Sequence, residues 1–331
     1  MLSLVPHGVV AVCFAASHLP QLKTRHRTLA HIAAHGLLGV FYFMIPTFFL
    51  QSTVTGDFNS LHGFLQSFAS AFHIGLAYFL YMNEEHSGSD LEPVQPFLFA
   101  RGMTAFICLM TRLFAAYHFS TTSTRGLLIT DSFLCCAILS DGVWFASELA
   151  HFVLAARKRT VSEEVQIISN RAAIWLDNRG SFYLENSLYG DAALMLIFAM
   201  IHFAFPNHVL KLIIKQEEII DSHHVMWCRV FGALCLYPAF ASLFVAALQP
   251  VQQVDYLFSR LLTQGVIVFL NVWGHWIQGV YSANHITGFM ISALYASFLF
   301  SVYFRTKNHY GEDGVRKRNV RTTLERVVKN K

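Results

Sequence analysis

Charge is what this chain has least of. Asp, Glu, Lys and Arg make up 13% of its 331 residues, against 54% apolar residues, and the mean hydropathy is +0.44. A soluble domain carries roughly twice that charge. So few charges cannot clothe a water-facing surface, which leaves most of the chain to face lipid. No CxxC pattern occurs among the six cysteines, all of which lie in apolar runs, so they read as small buried apolar residues and not as disulfides or zinc ligands. No HExxH occurs, and no Asn-x-Ser/Thr sequon marks a lumenal loop.

The basic residues are concentrated. Residues 305–331 hold nine Lys/Arg against three acids, residues 157–187 hold five and residues 21–30 hold three, which is 17 of the 24 in the chain. This asymmetry reads as membrane orientation and not as a nucleic-acid site.

The apolar stretches predict an all-α polytopic membrane protein. Spans are expected at 31–50, 61–82, 97–117, 129–156, 188–205, 225–248, 258–280 and 285–304, with a shorter first one at 2–20. Each main span has about 20 residues, enough at 1.5 Å per residue to cross ~30 Å of hydrocarbon. The first segment is followed, not preceded, by its basic residues Lys23, Arg25 and Arg27, which favours a span over a signal peptide. With nine spans the three basic segments fall on one side, and the C-terminus is then cytosolic.

The expected organisation is an N-terminal segment and basic loop (1–30), a first four-span unit (31–156), an amphipathic linker (157–187), a second four-span unit (188–304) and a basic tail (305–331). The linker has Val161, Val165, Ile168, Ala172 and Trp175 at helical spacing. A further amphipathic piece is expected at 208–223. The two units show related layouts. Gln66 to Arg101 spans 35 residues and Arg229 to Arg260 spans 31, and aligning Arg101 with Arg260 brings Arg112 onto Asn271. Four spans per unit is an even number, so the repeats are parallel, related by an axis along the membrane normal.

In the second unit, Phe205-Pro206-Asn207 closes one span and Arg229-x-Phe231-Gly232-Ala233-Leu234 opens the next. Over roughly residues 190–306 this pattern resembles the family of tumour protein p53-inducible protein 11, small four-span membrane proteins. The first unit departs from it, with Gln66 for the arginine and Ala69 for the glycine. The resemblance implies a membrane protein of internal membranes with a regulatory or scaffolding role, and it brings no catalytic residues.

Asp141 lies near the middle of its span, with Glu148 seven residues on along the same face. A carboxylate at that depth must face the bundle interior and be paired or protonated. Arg112 is the donor expected for Asp141, and Arg101 the one for Glu148. The site reading is a proton or ion pathway; the plainer reading is interior glue. Arg229, Arg260 and Arg101, near helix starts, are candidates for snorkelling or lipid-phosphate contact, with a structural packing role the plainer reading for Arg229 and Arg260, and Asn271 is a further intramembrane polar residue. The seventeen histidines, among them His31 and His35 one turn apart, raise a metal or haem site. Against it, no two spans show matched histidine pairs, and most histidines fall near span ends. No cofactor is expected. The leading expectation is a non-enzymatic membrane subunit of the endoplasmic reticulum or another endomembrane, scaffolding a larger assembly of membrane protein subunits and touching lipids. The alternatives are a lipid or small-solute transporter using the Asp141 region, or an intramembrane metal or haem enzyme.

Overall fold

The computed structural model describes residues 5–18, 24–46, 48, 54–55, 59–87, 95–121, 128–129, 131–156, 166, 169, 183–215, 220–245, 248, 250–282 and 285–329. The linker reading at 157–187 falls almost wholly outside them. Among the described residues the chain forms ten helices: α1 (Val5–Ala16), α2 (Thr24–Met44), α3 (Ser60–Ser87), α4 (Gln95–Thr121), α5 (Asp131–Ala156), α6 (Tyr183–Ala204), α7 (Pro206–Ile213), α8 (Ser222–Val245), α9 (Pro250–Trp276) and α10 (His285–Lys329). Two strands of two residues, β1 (Val54–Thr55) and β2 (Leu128–Ile129), pair antiparallel and tie together two loops. The protein is an all-α polytopic integral membrane protein.

Among the described residues six helices are long and apolar enough to cross a membrane: α3, α4, α6, α8, α9 and residues 288–310 of α10. These match six of the nine spans expected from sequence. At 12 residues, α1 is ~18 Å long, short of the hydrocarbon thickness. The other two, α2 and α5, have the length, with 21 and 26 residues, and carry the polar side chains described below. A second difference is at the C-terminus, where α10 does not end near Phe304 but continues through the basic tail to Lys329. The tail holds nine Lys/Arg and no proline, so no proline interrupts the helix there. The amphipathic piece is also shorter than expected. It starts at Pro206, whose fixed φ suits a first helical position, and ends at Ile213, after which Ile214 pairs with Tyr281.

The helices pack in a two-fold pattern. In the first half α2 packs on α3 and α4 on α5; in the second, α6 packs on α8 and α9 on α10. The halves exchange neighbours, since α3 lies against α9 and α8 against α4. At the centre α3 meets α8, with His62 beside His223 and His224, and Phe68 and Phe72 beside Phe231. The contacts ascend both helices together, so α3 and α8 are parallel and in register at the offset that relates the two units. Two elements stand outside this scheme: α1, packed on α2 and α5, and α7, packed on α6 and α8.

Lipid is as apolar as leucine, so close packing and interior polar bonds, more than exclusion of water, hold such helices together. Glycines permit the closest approach. A Cβ on Gly75 would stand 1.9 Å from Thr263 Oγ1 and 3.0 Å from the Ser259 carbonyl oxygen, and one on Gly274 would stand 2.4 Å from the Phe64 ring. These two contacts pin α3 to α9 at mid-helix and near the start of α3. Gly232 does the same for α8 against Ala199 and Phe203 of α6. Trp227 on α8 is the largest fully buried side chain among the described residues. Leu196, Ile197 and Met200 of α6 and Met290, Ile291 and Leu294 of α10 are exposed, as a lipid-facing surface requires.

Candidate functional site

Each half holds three helices together with a buried arginine at the aligned position. In the first half Arg101 (α4) lies 3.0 Å from Glu148 Oε2 (α5), and His31 Nδ1 (α2) lies 3.3 Å from Glu148 Oε1. In the second, Arg260 (α9) donates two hydrogen bonds to Asp191 (α6), at 2.9 and 3.1 Å, and one to the Tyr295 hydroxyl (α10) at 2.7 Å. Tyr295 and Ser242 also bond to the Asp191 carboxylate. The arginine stays in place while its carboxylate moves from the fourth helix of one unit to the first helix of the other.

These contacts correct one expectation. Arg101 and Arg260 are buried among helices and bound to carboxylates, so neither reaches lipid phosphate. Arg229 is half-buried, with its Nε 3.4 Å from the Phe203 carbonyl oxygen and its guanidinium over the Phe114 ring, nearer the bundle surface. Asn271 is interior, accepting from the Tyr281 hydroxyl at 3.2 Å. Arg112 Nε donates to Asp141 Oδ2 at 3.0 Å, the pairing expected from their depths.

The histidines correct another. Many lie inside the first bundle and face one another across helices. His35 Nδ1 (α2) is 3.1 Å from His73 Nδ1 (α3). His7 (α1), His73, Tyr42, Arg112, Asp141, Ser140 and Cys108 share the lining of a cavity of about 10 Å³, room for about one water among several polar partners. His7 Nε2 stands 3.3 Å from the Tyr42 hydroxyl. A nitrogen of His31, a nitrogen of His35 and a Glu148 oxygen lie within 4.8 Å of one another. Beyond Glu148, the His151 ring lies 5.3 Å from His31 and 4.7 Å from His18, the last of which is only half-buried.

Together these groups form a line. It starts at Asp141 and Arg112, crosses the cavity to His7 and His73, passes to His35, to His31 and Glu148, and leaves by His151 and His18. From Asp141 to His151 along α5 is ten residues, ~15 Å of the membrane normal. Past Arg112, whose guanidinium stacks 4.7 Å over Trp227, Trp227 Nε1 donates to His223 Nε2 at 3.0 Å. There a second group begins. His62 Nε2 is 2.8 Å from Asp221 Oδ2, and His224 Nδ1 is 3.0 Å from Asp221 Oδ1. Asp221 also caps α8, accepting from the backbone N–H groups of His223 and His224. Burial pushes the Asp221 carboxyl up, but hydrogen bonds from His224 and His62 outweigh it and hold the group well below the usual carboxylate range.

Both histidine–carboxylate groups have donor sets that fit a metal ion. In the inner one, Glu148 is already neutralised by Arg101. Asp191, His73 and Asp221 are the residues that sequence reading misses. Asp191 stands near a span start, where an acid attracts little notice, and the histidines gain meaning only from partners on other helices.

Comparison with curated proteins finds no match to this chain, and comparison with solved structures finds none either. Residues 29–303, most of the chain and all but the first helix and the tail, match a described family, and the chain therefore belongs to Domain of unknown function (DUF8292).

Proposed function

We propose that this protein moves protons or small cations across an internal membrane through the ionisable line of its first bundle. The observation that supports this reading is the run of histidines and carboxylates from Asp141 through His73 and His35 to Glu148, His151 and His18. Ionisable side chains are costly inside a membrane, and chains of Asp, Glu and His are the usual elements of proton pathways. A structural pair needs one cation and one anion. The Arg112–Asp141 pair meets that need, but the histidines beside it are additional.

Imidazole suits the task because each ring can accept a proton on one nitrogen and release it from the other. The His35–His73 contact is short enough for direct transfer, and a water in the cavity would join His73 and His7 to Asp141. Arg112 holds Asp141 at one end and Arg101 holds Glu148 before the exit through His151 and His18, so two fixed positive charges flank the middle of the line. In this reading the basic segments at 21–30, 157–187 and 305–331 lie in the cytosol, and the host membrane is the endoplasmic reticulum or another endomembrane.

The second reading is a membrane scaffold with other membrane subunits and lipids as partners. Its support is the Arg260–Asp191–Tyr295 cluster of the second half, a fully bonded pin from which no line of ionisable groups leads among the described residues. Reconstitution into sealed liposomes separates the two. Transport predicts proton uptake driven by an imposed potassium potential; scaffolding predicts empty-liposome rates and co-purifying protein chains.

A further inference from the structure

We propose that His62, Asp221 and His224 bind a zinc ion that clamps α3 to α8 where the two halves of the molecule meet. His62 is in the first turn of α3, Asp221 caps α8, and His224 lies in its first turn, so the three ligands come from both halves. The His62 and His224 rings are 4.0 Å apart between centroids, and one ligand atom from each of the three residues lies within 4.8 Å of the others. Ligands of a tetrahedral zinc with bonds of ~2.0–2.1 Å stand roughly 3.3 Å apart. The observed separations of 2.8 and 3.0 Å from the carboxylate are already close to that spacing.

The surroundings orient both rings toward one carboxylate. His62 Nδ1 is 2.6 Å from Asn59 Oδ1 and 3.2 Å from the Asn59 backbone nitrogen, which turns Nε2 to Asp221. His224 Nδ1 faces Oδ1 of the same carboxylate at 3.0 Å. Each of these ring nitrogens can donate to Asp221 as an N–H or, once deprotonated, share a cation with it. Asn59 on His62 is the outer partner that fixes the orientation of a ligating imidazole.

A further histidine completes the setting. His223 is fully buried, and its Nε2 accepts from Trp227, which leaves the proton on Nδ1. That atom finds no acceptor among the described residues, and its ring centroid is 5.1 Å from that of His62. With three protein ligands the zinc has a fourth position for water, and the His223 N–H is a donor available to such an oxygen. Two imidazoles and one carboxylate suit zinc better than calcium or magnesium, which take oxygen ligands. Asp221 keeps 17% of its side chain exposed at the start of α8. By contrast, the His31–His35–Glu148 group has an arginine 3.0 Å from its carboxylate, where a divalent ion would be repelled.

The test uses the full-length protein in detergent, incubated with zinc chloride, passed through gel filtration and analysed for metal by mass spectrometry. The expected result is about one zinc per chain, falling at least about tenfold in His62→Ala and in His224→Ala and unchanged in His35→Ala. Cobalt(II) titration of the unaltered chain serves if the variants fold poorly, and a visible d–d band saturating at about one cobalt per chain is expected. Zinc far below one per chain with no cobalt band overturns the proposal and leaves the cluster as imidazolium–carboxylate pairs. Zinc kept by both His62 and His224 variants, or lost from His35→Ala alone, overturns it as well.

Discussion

His35 and His73 meet through their Nδ1 atoms at 3.1 Å, with ring planes 20° apart, in the interior of the first bundle. One of these nitrogens must carry a proton and the other a lone pair. When the proton crosses, a second proton taken up at Nε2 of the donor ring and one released from Nε2 of the acceptor ring leave both rings neutral with their tautomers reversed, which makes the pair a transfer element and a structural bond at once. Replacing either ring by leucine leaves the other nitrogen buried and unbonded, at a cost of about 1–3 kcal/mol. In thermal unfolding followed by size-exclusion chromatography, the His35→Leu/His73→Leu double variant should lose less than the sum of the single losses, by about 0.5–3 kcal/mol. Strict additivity would show that the contact is not formed.

The Asp191 cluster should behave as a pin of the second half. Asp191→Leu strips Arg260, Tyr295 and Ser242 of their shared acceptor and should destabilise the protein by about 3–5 kcal/mol. Combining it with Arg260→Met should recover a large part of that loss, because the double variant leaves no uncompensated buried charge. A double variant as unstable as Asp191→Leu alone would contradict the pairing.

Two glycines should respond with opposite sign. Gly75→Ala would place a Cβ against Thr263 Oγ1 and the Ser259 carbonyl oxygen. The hydroxyl can turn away, but the backbone oxygen at 3.0 Å cannot, so a loss of about 1–3 kcal/mol is expected. Gly265→Ala on the same α9 meets nothing within 4 Å and should gain up to about 1 kcal/mol from helix propensity. Equal effects in a melting experiment would show that α3 and α9 are not in the close contact described.

Topology gives a fourth prediction. A tag after Lys331 should be digested by protease in sealed microsomes, because the positive-inside rule assigns the side that gathers the basic segments to the cytosol. A tag protected until detergent is added would reverse the orientation.

Whatever depends on depth along one helix is legible in the sequence. Arg112 and Asp141 match in depth, and so do Arg101 and Glu148, which is why both pairs follow from span positions alone. The parallel relation of the units also follows from counting spans. What depends on rotation about a helix axis is not legible. His73 sits among Phe72, Ile74 and Leu76 and looks like an interruption of an apolar run; only the crossing of α2 over α3 makes it a partner of His35. Arg260 looks like a lipid-facing cation for the same reason, its partner Asp191 being 69 residues away. The His62–Asp221–His224 group joins residues 159 positions apart, across the interface between halves, and a motif of such separation has no signature in sequence.

Proton flux through the Asp141 variant is the most direct test of the account. The unaltered chain and Asp141→Asn are reconstituted separately in liposomes containing a pH-sensitive dye, and a potassium diffusion potential is applied. An amide still bonds to Arg112, so the variant should fold and reconstitute at normal yield, but it cannot take up a proton. The expected result is uptake by the unaltered chain and a rate within error of empty liposomes for Asp141→Asn. Equal rates in the two, or no uptake by the unaltered chain, would contradict a proton pathway through this bundle.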